Sequence, residues 1–262
     1  MTTTAIDAKS KRTSLEIEGP VARVALRNPP LNVMDVAMIE ELARTLAELE
    51  ARSDLAIILL RGDGKAFSAG VEVAAHTPGR VEEMLRKFHE VIRALVGTKK
   101  VTMAAVHGHC LGGGAELAMV CDLVYTAEDA QWGFPEIKLG CYPPVASTAL
   151  AALVGQKRAA ELILTGRTIH GKEAAEIGLA TAGVRDAELA GAVEECILRL
   201  LTLSPATLAI AKKASYAWDS MHFDKGLVRA EKIYLEDLMK TADANEGIRA
   251  FLEKRQPRWQ GK

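Results

Sequence analysis

Short apolar runs alternate with helix-like stripes over roughly the first half of the chain. Residues 14–26 hold two strand-like runs, SLEIEG and VARVAL, hinged at Gly19-Pro20, which is the pattern of a β-hairpin. Apolar residues then recur every fourth position over 34–51, which predicts an amphipathic helix. Residues 55–62, LAIILLRG, form an apolar run that is typical of a strand buried on both faces.

The same unit recurs further along the chain. A polar, glycine-containing loop is followed by an amphipathic helix over 81–96, an apolar strand within 99–108, a helix over 112–120 and a strand within 122–129. Strands that alternate with helices need crossover connections and pair mostly in parallel. The pattern therefore predicts an α/β fold, with an irregular segment, QWGFPEIKLGCYPP, after the last of these strands.

The strand signal fades after about residue 145, and helical patterns take over. They cover 146–154, 156–164, 172–177, 186–203, 205–217, 227–239 and 245–254. We therefore expect an α/β core over 1–200 and a helical C-terminal region over 201–262. Helices with apolar stripes but no sheet to cover often pack against another subunit, so we expect this region to serve oligomerisation.

The composition narrows the class of protein. Of the 262 residues, 49% are apolar, which is enough to fill a sizeable core. Lys and Arg number 33 against 34 Asp and Glu, so the formal net charge is −1. A dedicated nucleic-acid surface usually shows a strong basic excess, so we expect no nucleic-acid partner.

The cysteine pattern and the lengths of the apolar runs indicate the cellular compartment of the protein. The four cysteines form no CxxC pair and no histidines cluster with them, so we expect reduced thiols and no metal site. No apolar run reaches the ~18 residues that a membrane span needs, and the first residues carry no apolar leader. We therefore expect a soluble cytoplasmic protein with no membrane partner.

The stretch CLGGGAELAMVCD places three glycines before a buried helix and a glutamate in its first turn. The first turn of a helix leaves backbone N–H groups unpaired, and glycines let a ligand oxygen approach them closely. Glu116 follows Gly113 by three residues, about 4.5 Å along the helix axis, and so lies within reach of such a ligand. The alternative is a glutamate that only caps its helix.

The loop GDGKAFSAGVEV, residues 62–73, directly follows an apolar strand. In open α/β sheets, ligands gather at the carboxyl ends of the strands, where such loops lie. A backbone N–H of this loop and one from the glycine-rich helix start would together form an oxyanion hole. The alternative is an ordinary surface turn.

A second glutamate, Glu136, lies in the segment GFPEIKLG beside Pro135, Phe134 and Ile137. Burial would raise the pKa of this carboxyl, and a second carboxylate nearby would raise it further. A glutamate with a raised pKa can give or take a proton near neutral pH. The alternative is a glutamate in a surface loop.

Together, these three segments resemble the crotonase superfamily, whose type member is enoyl-CoA hydratase. GKAFSAGVEV resembles its first oxyanion motif, HGHCLGGGAELAMVCD its second, and FPEIKLG the segment of its second glutamate. The resemblance implies a core of ββα units arranged as a spiral and a helical C-terminal region that builds trimers or dimers of trimers. It also implies that Val71 and Gly113 donate N–H groups to a thioester carbonyl, with Glu116 and Glu136 as the acid–base pair.

The resemblance implies an acyl-CoA substrate, with CoA as part of the substrate and no separate cofactor. Lys65 would lie near the CoA phosphates, Ala69 along the adenine and pantetheine, and His76 on the loop over the site. We predict the following residues as substrate-binding: Lys65, Ala69, Gly70, His76, Gly112, Trp132, Gly140, Tyr142 and Pro143.

Two intact glutamates favour a hydratase, an enzyme that adds water to a double bond conjugated to the thioester. GCYPPVASTAL replaces the glycine-rich segment of typical hydratases. The combination of NPPLNVMD, GKAFSAGVEVAAH and PEIKLGCYPPVAS resembles cyclohexa-1,5-diene-1-carbonyl-CoA hydratases more than fatty-acid hydratases.

Two alternatives to a hydratase stay open. A similar proline-containing segment occurs in decarboxylases that act on glutaconyl-type thioesters, so a same-fold decarboxylase or isomerase is the first. The second is a relative that binds, for example, RNA and has lost its activity. This second alternative predicts a lost carboxylate or a basic excess, and the sequence has neither.

Overall fold

The computed structural model describes residues 12–261, apart from the side chains of residues 217–221. Within that range the chain forms nine strands: β1 (Thr13–Glu18), β2 (Val21–Leu26), β3 (Ile57–Gly62), β4 (Val101–Val106), β5 (His109–Leu111), β6 (Leu123–Ala127), β7 (Gln131–Gly133), β8 (Thr168–His170) and β9 (Ala182–Val184). The main sheet has the order β1-β2-β3-β4-β6-β9, and a small sheet has the order β5-β7-β8.

The pairing of the main sheet confirms the predicted hairpin and the predicted parallel core. Strands β1 and β2 are antiparallel, with Thr13 opposite Leu26, and each further neighbour in this sheet is parallel. The residues of β3 are nearly all buried, as its continuous apolar run predicts. The predicted irregular segment 131–144 instead begins with β7, which pairs in parallel with β5.

Helices cover the sheets and form the C-terminal part of the chain. Their bounds are α1 (Val36–Glu50), α2 (Val81–Gly97), α3 (Gly113–Met119), α4 (Pro144–Val154), α5 (Gln156–Thr165), α6 (Gly171–Glu176), α7 (Asp186–Leu201), α8 (Pro205–Glu236) and α9 (Ala242–Leu252). Short 3₁₀ helices occupy Val73–His76, Pro135–Leu139 and Leu238–Lys240.

In helix α1, the apolar residues of the predicted period form the buried face. Asp35 caps its start, because the Asp35 carboxylate accepts a hydrogen bond from the Met38 N–H at 2.8 Å. Met38, Leu42 and Leu46 follow at spacings of four residues and are all buried against the sheet. The period that predicts an amphipathic helix therefore marks the face that enters the core.

Helix α8 differs from the prediction, which places two helices over 205–217 and 227–239. The structure has one helix of 32 residues. Gly226, a poor helix former, lies between the two predicted parts. At Gly226 the helix packs so closely on α4 that an added Cβ would lie 2.6 Å from Thr148 Cγ2. Packing against α4 therefore favours glycine at a position where propensity alone predicts a break.

Polar contacts hold α8 on the core. Lys212 Nζ forms an ion pair with Asp122 at 2.8 Å, at the start of β6. Glu231 contacts His89 of α2 at 2.6 Å, and the His89 side chain is fully buried. These contacts hold α8 at two points, its N-terminal half beside β6 and its C-terminal half beside α2. None of the helices among residues 12–261 combines the length and apolar character that crossing a membrane requires.

Candidate active site

Glu116 lies in the first turn of α3 and is buried, with 3% of its surface exposed. Its Oε1 accepts hydrogen bonds from the backbone N–H groups of Val145 at 2.9 Å and Ala146 at 3.0 Å. Both donors belong to the first turn of α4, so Glu116 does not cap its own helix. Instead, the positive end of α4 holds the carboxylate of α3.

The local sequence explains why α4 offers these donors. Pro144 is the first residue of α4 and has no N–H, and its ring favours the helical φ angle. The next two N–H groups have no acceptor within the helix, because the first turn lacks preceding carbonyls. Glu116 supplies that acceptor. The Pro143-Pro144 pair thus begins the helix that positions the first glutamate.

Glu136 lies in the 3₁₀ helix Pro135–Leu139 and faces the start of α3. A Cβ built on Gly112 would lie 2.6 Å from Glu136 Oε1, so the glutamate carboxyl packs directly against this glycine. Gly112 also has a φ of +52°, which a larger residue rarely adopts. Glu136 Oε2 is buried without a hydrogen-bond partner among the described residues.

The two carboxyl groups titrate in a shared buried environment. Burial raises the pKa of Glu116 to about 7, although the two backbone hydrogen bonds favour its charged form. Burial and the neighbouring charge of Glu116 raise the pKa of Glu136 to about 8. Because two backbone N–H groups of α4 hold the Glu116 carboxylate, while Glu136 Oε2 has no partner among the described residues, the ionised form belongs to Glu116 and the proton to Glu136.

The amides of Val71 and Gly113 come from separate segments that meet beside this pair. A Cβ built on Gly113 would lie 2.8 Å from Val71 Cγ2, and one built on Gly70 would lie 3.5 Å from the Gly113 nitrogen. Bridges from Val71 to Met34 and from Ser68 to Cys110 hold the loop in place. Neither the Val71 N–H nor the Gly113 N–H has an acceptor within residues 12–261. Two free amides beside two carboxyl groups can bind an oxygen that becomes negative.

The remaining predicted residues of the first loop lie around these amides. Ala69 donates its N–H to Leu31 O at 2.9 Å, and Gly70 accepts from Met34 N–H at 2.8 Å. Lys65 is exposed at the rim of the loop. His76 ends the 3₁₀ helix Val73–His76 and is half-buried, and burial lowers the pKa of its imidazole. His76 is therefore packed rather than free in solvent.

Four of the predicted substrate-binding residues lie in the irregular segment 131–144, and their environments differ. Pro143 precedes α4, and Gly140 ends the 3₁₀ helix Pro135–Leu139 against the backbone of α9. Trp132 is fully buried, and its indole N–H donates to Thr126 Oγ1 at 2.9 Å. Trp132 is therefore part of the hydrophobic core.

Tyr142 contacts the C-terminal helix. Its hydroxyl donates to the carbonyl of Ala230 in α8 at 2.6 Å. A cavity of about 630 Å³ lies beside it between α4, α8 and the start of β6, and neither glutamate lines this cavity. The Tyr142 hydroxyl is therefore hydrogen-bonded to the backbone of α8. The position of Tyr142 in the sequence does not indicate this contact.

The structure also adds residues that the sequence analysis missed. Val145 and Ala146 hold Glu116 through backbone N–H groups, which no side-chain pattern reveals. Cys141 donates its backbone N–H to Glu136 O at 3.0 Å, and Tyr234 of α8 packs beside Tyr142 with ring centroids 5.3 Å apart. Tyr234 lies 98 positions after Glu136 by residue number, so only the fold brings the two together.

These parts place two buried carboxyl groups beside two backbone amides that have no acceptor within residues 12–261. A family model described as enoyl-CoA hydratase/isomerase matches residues 16–262. The chain is 37% identical over 250 residues to cyclohexa-1,5-dienecarbonyl-CoA hydratase of Thauera aromatica. The aligned part covers 95% of this chain and 96% of that protein. It is 35% identical over 254 residues to a probable enoyl-CoA hydratase of Bacillus subtilis, which covers 95% of this chain and 98% of that protein.

Solved structures show the same fold. A crystal structure of an enoyl-CoA hydratase from Mycobacterium avium subsp. paratuberculosis K-10 matches with a TM-score of 0.86 at 27% identity, covering 95% of this chain and 98% of that one. The chain belongs to the enoyl-CoA hydratase/isomerase family. The expected crotonase-like fold and the family resemblance are thereby confirmed.

Proposed function

We propose that this protein is a CoA-thioester hydratase that adds water to a conjugated enoyl- or dienoyl-CoA. The observation that carries the proposal is the pair of carboxyl groups, Glu116 and Glu136, beside the amides of Val71 and Gly113, which have no acceptor among the described residues. Hydration of such a double bond needs a base for water, an acid for carbon and a site for the enolate oxygen. The four groups match these three needs.

Glu116 takes the role of base. Its two N–H donors at the start of α4 favour its ionised form, so it can accept a proton from water. Glu136 takes the role of acid, because burial and the charge of Glu116 keep it protonated near neutral pH. Different environments thus give two identical side chains different tasks.

During the proposed hydration, Glu116 gains one proton and Glu136 gives one up. Water gives a proton to Glu116 while its oxygen bonds to the β-carbon of the substrate. The electron pair of the double bond moves through the α-carbon onto the thioester oxygen, where the Val71 and Gly113 N–H groups stabilise the enolate. The enolate then takes the proton of Glu136 at the α-carbon. Transfer of a proton from Glu116 to Glu136 restores the starting pair.

For the acyl group we propose cyclohexa-1,5-diene-1-carbonyl-CoA. The 37% identity to the hydratase of that name in Thauera aromatica supports this choice. So does the PEIKLGCYPPVAS segment, in which Pro144 begins the helix that holds Glu116. We place Lys65, exposed at the loop rim, near the CoA phosphates, since a lysine binds phosphate as a point charge.

The test is turnover by the purified protein of three thioesters: crotonyl-CoA, cyclohexa-1,5-diene-1-carbonyl-CoA and 3-methylglutaconyl-CoA. We expect the dienoyl thioester to give the highest kcat/KM and a product heavier by one water. Faster hydration of crotonyl-CoA would overturn the acyl group but keep the reaction. Release of carbon dioxide from the third thioester, without hydration of the other two, would identify a decarboxylase instead.

We further propose that the C-terminal region 201–262 joins copies of the chain into a trimer or a dimer of trimers. Its support is the set of large apolar side chains that α8 leaves exposed, among them Ile210 at 69% and Val228 at 57%. Light scattering after size-exclusion chromatography tests this proposal, and a monomeric mass would contradict it.

A further inference from the structure

The loop that carries the Val71 amide is held by hydrogen bonds from the N–H groups on both sides of that amide. Phe67, Ser68, Ala69 and Glu72 donate to backbone carbonyls, which belong to His107, His109, Leu31 and Met34 in that order. The N–H of Gly70 donates instead to a side chain, the Oγ of Ser68 at 3.2 Å. The N–H of Val71 has no acceptor among the described residues. The loop is therefore fixed around the one amide that it leaves open.

The conformation of Gly70 sets the direction in which the Val71 N–H points. Its φ is +102°, which residues with a side chain rarely adopt. The peptide before Gly70 is held by the bond to Ser68 Oγ, and the peptide after it by Met34, whose N–H donates to Gly70 O at 2.8 Å. Because the C=O and N–H of a trans peptide point in opposite directions, the carbonyl that faces Met34 turns the Val71 N–H away from Met34.

The Ser68 hydroxyl is itself held by a buried asparagine. Ser68 and Asn32 are both fully buried, and Ser68 Oγ donates to Asn32 O at 2.7 Å. The side-chain amide of Asn32 donates to Asp63 O at 2.9 Å and to Ala66 O at 2.7 Å, at the start of the same loop. Asn32 therefore binds the loop twice, directly at its start and through Ser68 beside Gly70.

Ser68 also contacts the segment that supplies the second amide. A Cβ built on Gly114 would lie 2.5 Å from Ser68 O and 2.8 Å from Ser68 Cβ, so the first turn of α3 packs directly on this serine. Leu111, just before that helix, donates its N–H to Ser68 O at 3.0 Å. Ser68 thus lies between the loop of Val71 and the helix start of Gly113, where it can set the distance between the two amides.

We propose that Ser68, anchored by Asn32, is a positioning residue of the oxyanion hole. The inference rests on the proposed function, because it requires that the Val71 and Gly113 amides bind the thioester oxygen. Donors aimed in advance at the developing charge stabilise it without reorganisation, and the Ser68 hydroxyl supplies this fixed aim through the backbone of Gly70. Without the hydroxyl, the Gly70 N–H and Asn32 O lose their partner, and the peptides on both sides of Gly70 are free to turn.

The direct readout is the carbonyl stretch of a bound thioester that cannot react. Pivaloyl-CoA has no double bond and no hydrogen at the α-carbon, so it can neither add water nor form an enolate. Two N–H donors on its carbonyl oxygen weaken the C=O bond and lower its stretching frequency. Infrared difference spectroscopy measures this frequency on pivaloyl-CoA labelled with a heavy isotope at the carbonyl carbon. Saturating amounts of protein keep a change in affinity out of the result.

S68A removes the hydroxyl, and T126V is the matched control. The Thr126 hydroxyl is also fully buried, and it accepts from the Trp132 indole N–H at 2.9 Å and donates to Ala127 O at 3.1 Å. Both variants should melt below the wild-type temperature, because each leaves buried polar groups unpaired. Only S68A should return the carbonyl frequency toward its solution value. Only S68A should also lower kcat, by about 10- to 100-fold, with KM within about threefold of wild type.

An S68A complex with the wild-type carbonyl frequency would overturn the inference, and so would a T126V complex that shifts as far as S68A. S68C decides the question if S68A does not fold or bind. Its thiol is a weak hydrogen-bonding group, so its frequency should lie between the wild-type and solution values, and the wild-type value would overturn the inference. A wild-type frequency no lower than in solution would overturn the proposed function and the inference together. Failure of hydration alone, with a lowered frequency that S68A loses, counts only against the proposed function.

Discussion

Glu136 is the residue on which the proposed chemistry depends most directly. In E136Q the side chain keeps its shape but has no acidic proton, so we expect kcat to fall by about 10²- to 10⁴-fold. Affinity for pivaloyl-CoA, which cannot react, should stay within about threefold of wild type, since the change leaves ground-state binding intact. Steady-state kinetics and calorimetry measure the two quantities, and an unchanged kcat would remove Glu136 from the mechanism.

Gly112 tests whether the position of Glu136 matters as well as its acidity. In G112A the new methyl group would lie 2.6 Å from Glu136 Oε1 and must displace the carboxyl. The control is G19A in the hairpin, where φ is also +52° and nothing lies within 4 Å of an added Cβ. G19A should lose about 1–2 kcal/mol of stability to backbone strain and G112A at least as much, but only G112A should lose activity. Equal activities would show that Glu136 need not stay where it is.

The sequence predicts the charged side chains of the site better than it predicts the backbone groups that bind them. Glu116 and Glu136 stand out because each carboxyl group lies in an apolar context. Val145 and Ala146 could not be found, because their contribution is a backbone N–H that any residue except proline has. The aromatic residues of the irregular segment were harder to assign, since the sequence does not say which way a ring points. The structure places the Trp132 ring in the hydrophobic core.

Among the contacts between elements, a single substitution can test how much the contact between α2 and α8 contributes to stability. Glu231 accepts from His89 at 2.6 Å and from Arg93 at 3.0 Å, and removing its charge leaves the buried His89 with a weaker partner. E231Q should lower the unfolding free energy by about 1–3 kcal/mol. Chemical denaturation measures the loss, and an unchanged unfolding free energy would mean that α8 does not depend on this contact.

The matched control lies one turn further along the same helix. Glu236 forms an exposed ion pair with Lys232 at 3.7 Å, with both side chains more than half exposed. E236Q should change stability by less than about 0.5 kcal/mol, because water screens such pairs. A comparable loss in both variants would point to a general charge effect on α8 rather than to the contact with α2.

The elements that the sequence predicts are those with a long repeating pattern. Helices α1 and α2 and strands β3 and β4 were predicted within a few residues, because each has a clear period or an unbroken apolar run. Strands β5, β7, β8 and β9 have three residues each, which is too short for any period to develop. Their existence depends on pairing with distant strands, which only the assembled fold provides.

At the scale of the whole molecule, the buried carboxyl pair links function to stability. The pKa of Glu136 is raised from an ordinary value of 4.5 to about 8, so the folded protein keeps a proton that the unfolded chain releases between these values. The stability that depends on this proton is fully present below about pH 4.5 and is lost as the pH rises through 8. Wild-type stability should therefore fall across this window by an amount on the order of a few kcal/mol.

E136Q isolates this effect, because glutamine stays neutral at every pH. The difference in melting temperature between E136Q and wild type should grow in favour of E136Q from pH 5 to pH 9. E246Q is the control: Arg255 and then Arg249 hold the pKa of Glu246 below its ordinary value, so Glu246 is ionised in both states above about pH 6. Its difference from wild type should stay constant from pH 6 to 9. A constant difference for E136Q as well would mean that Glu136 is already ionised in the folded protein and cannot act as the acid.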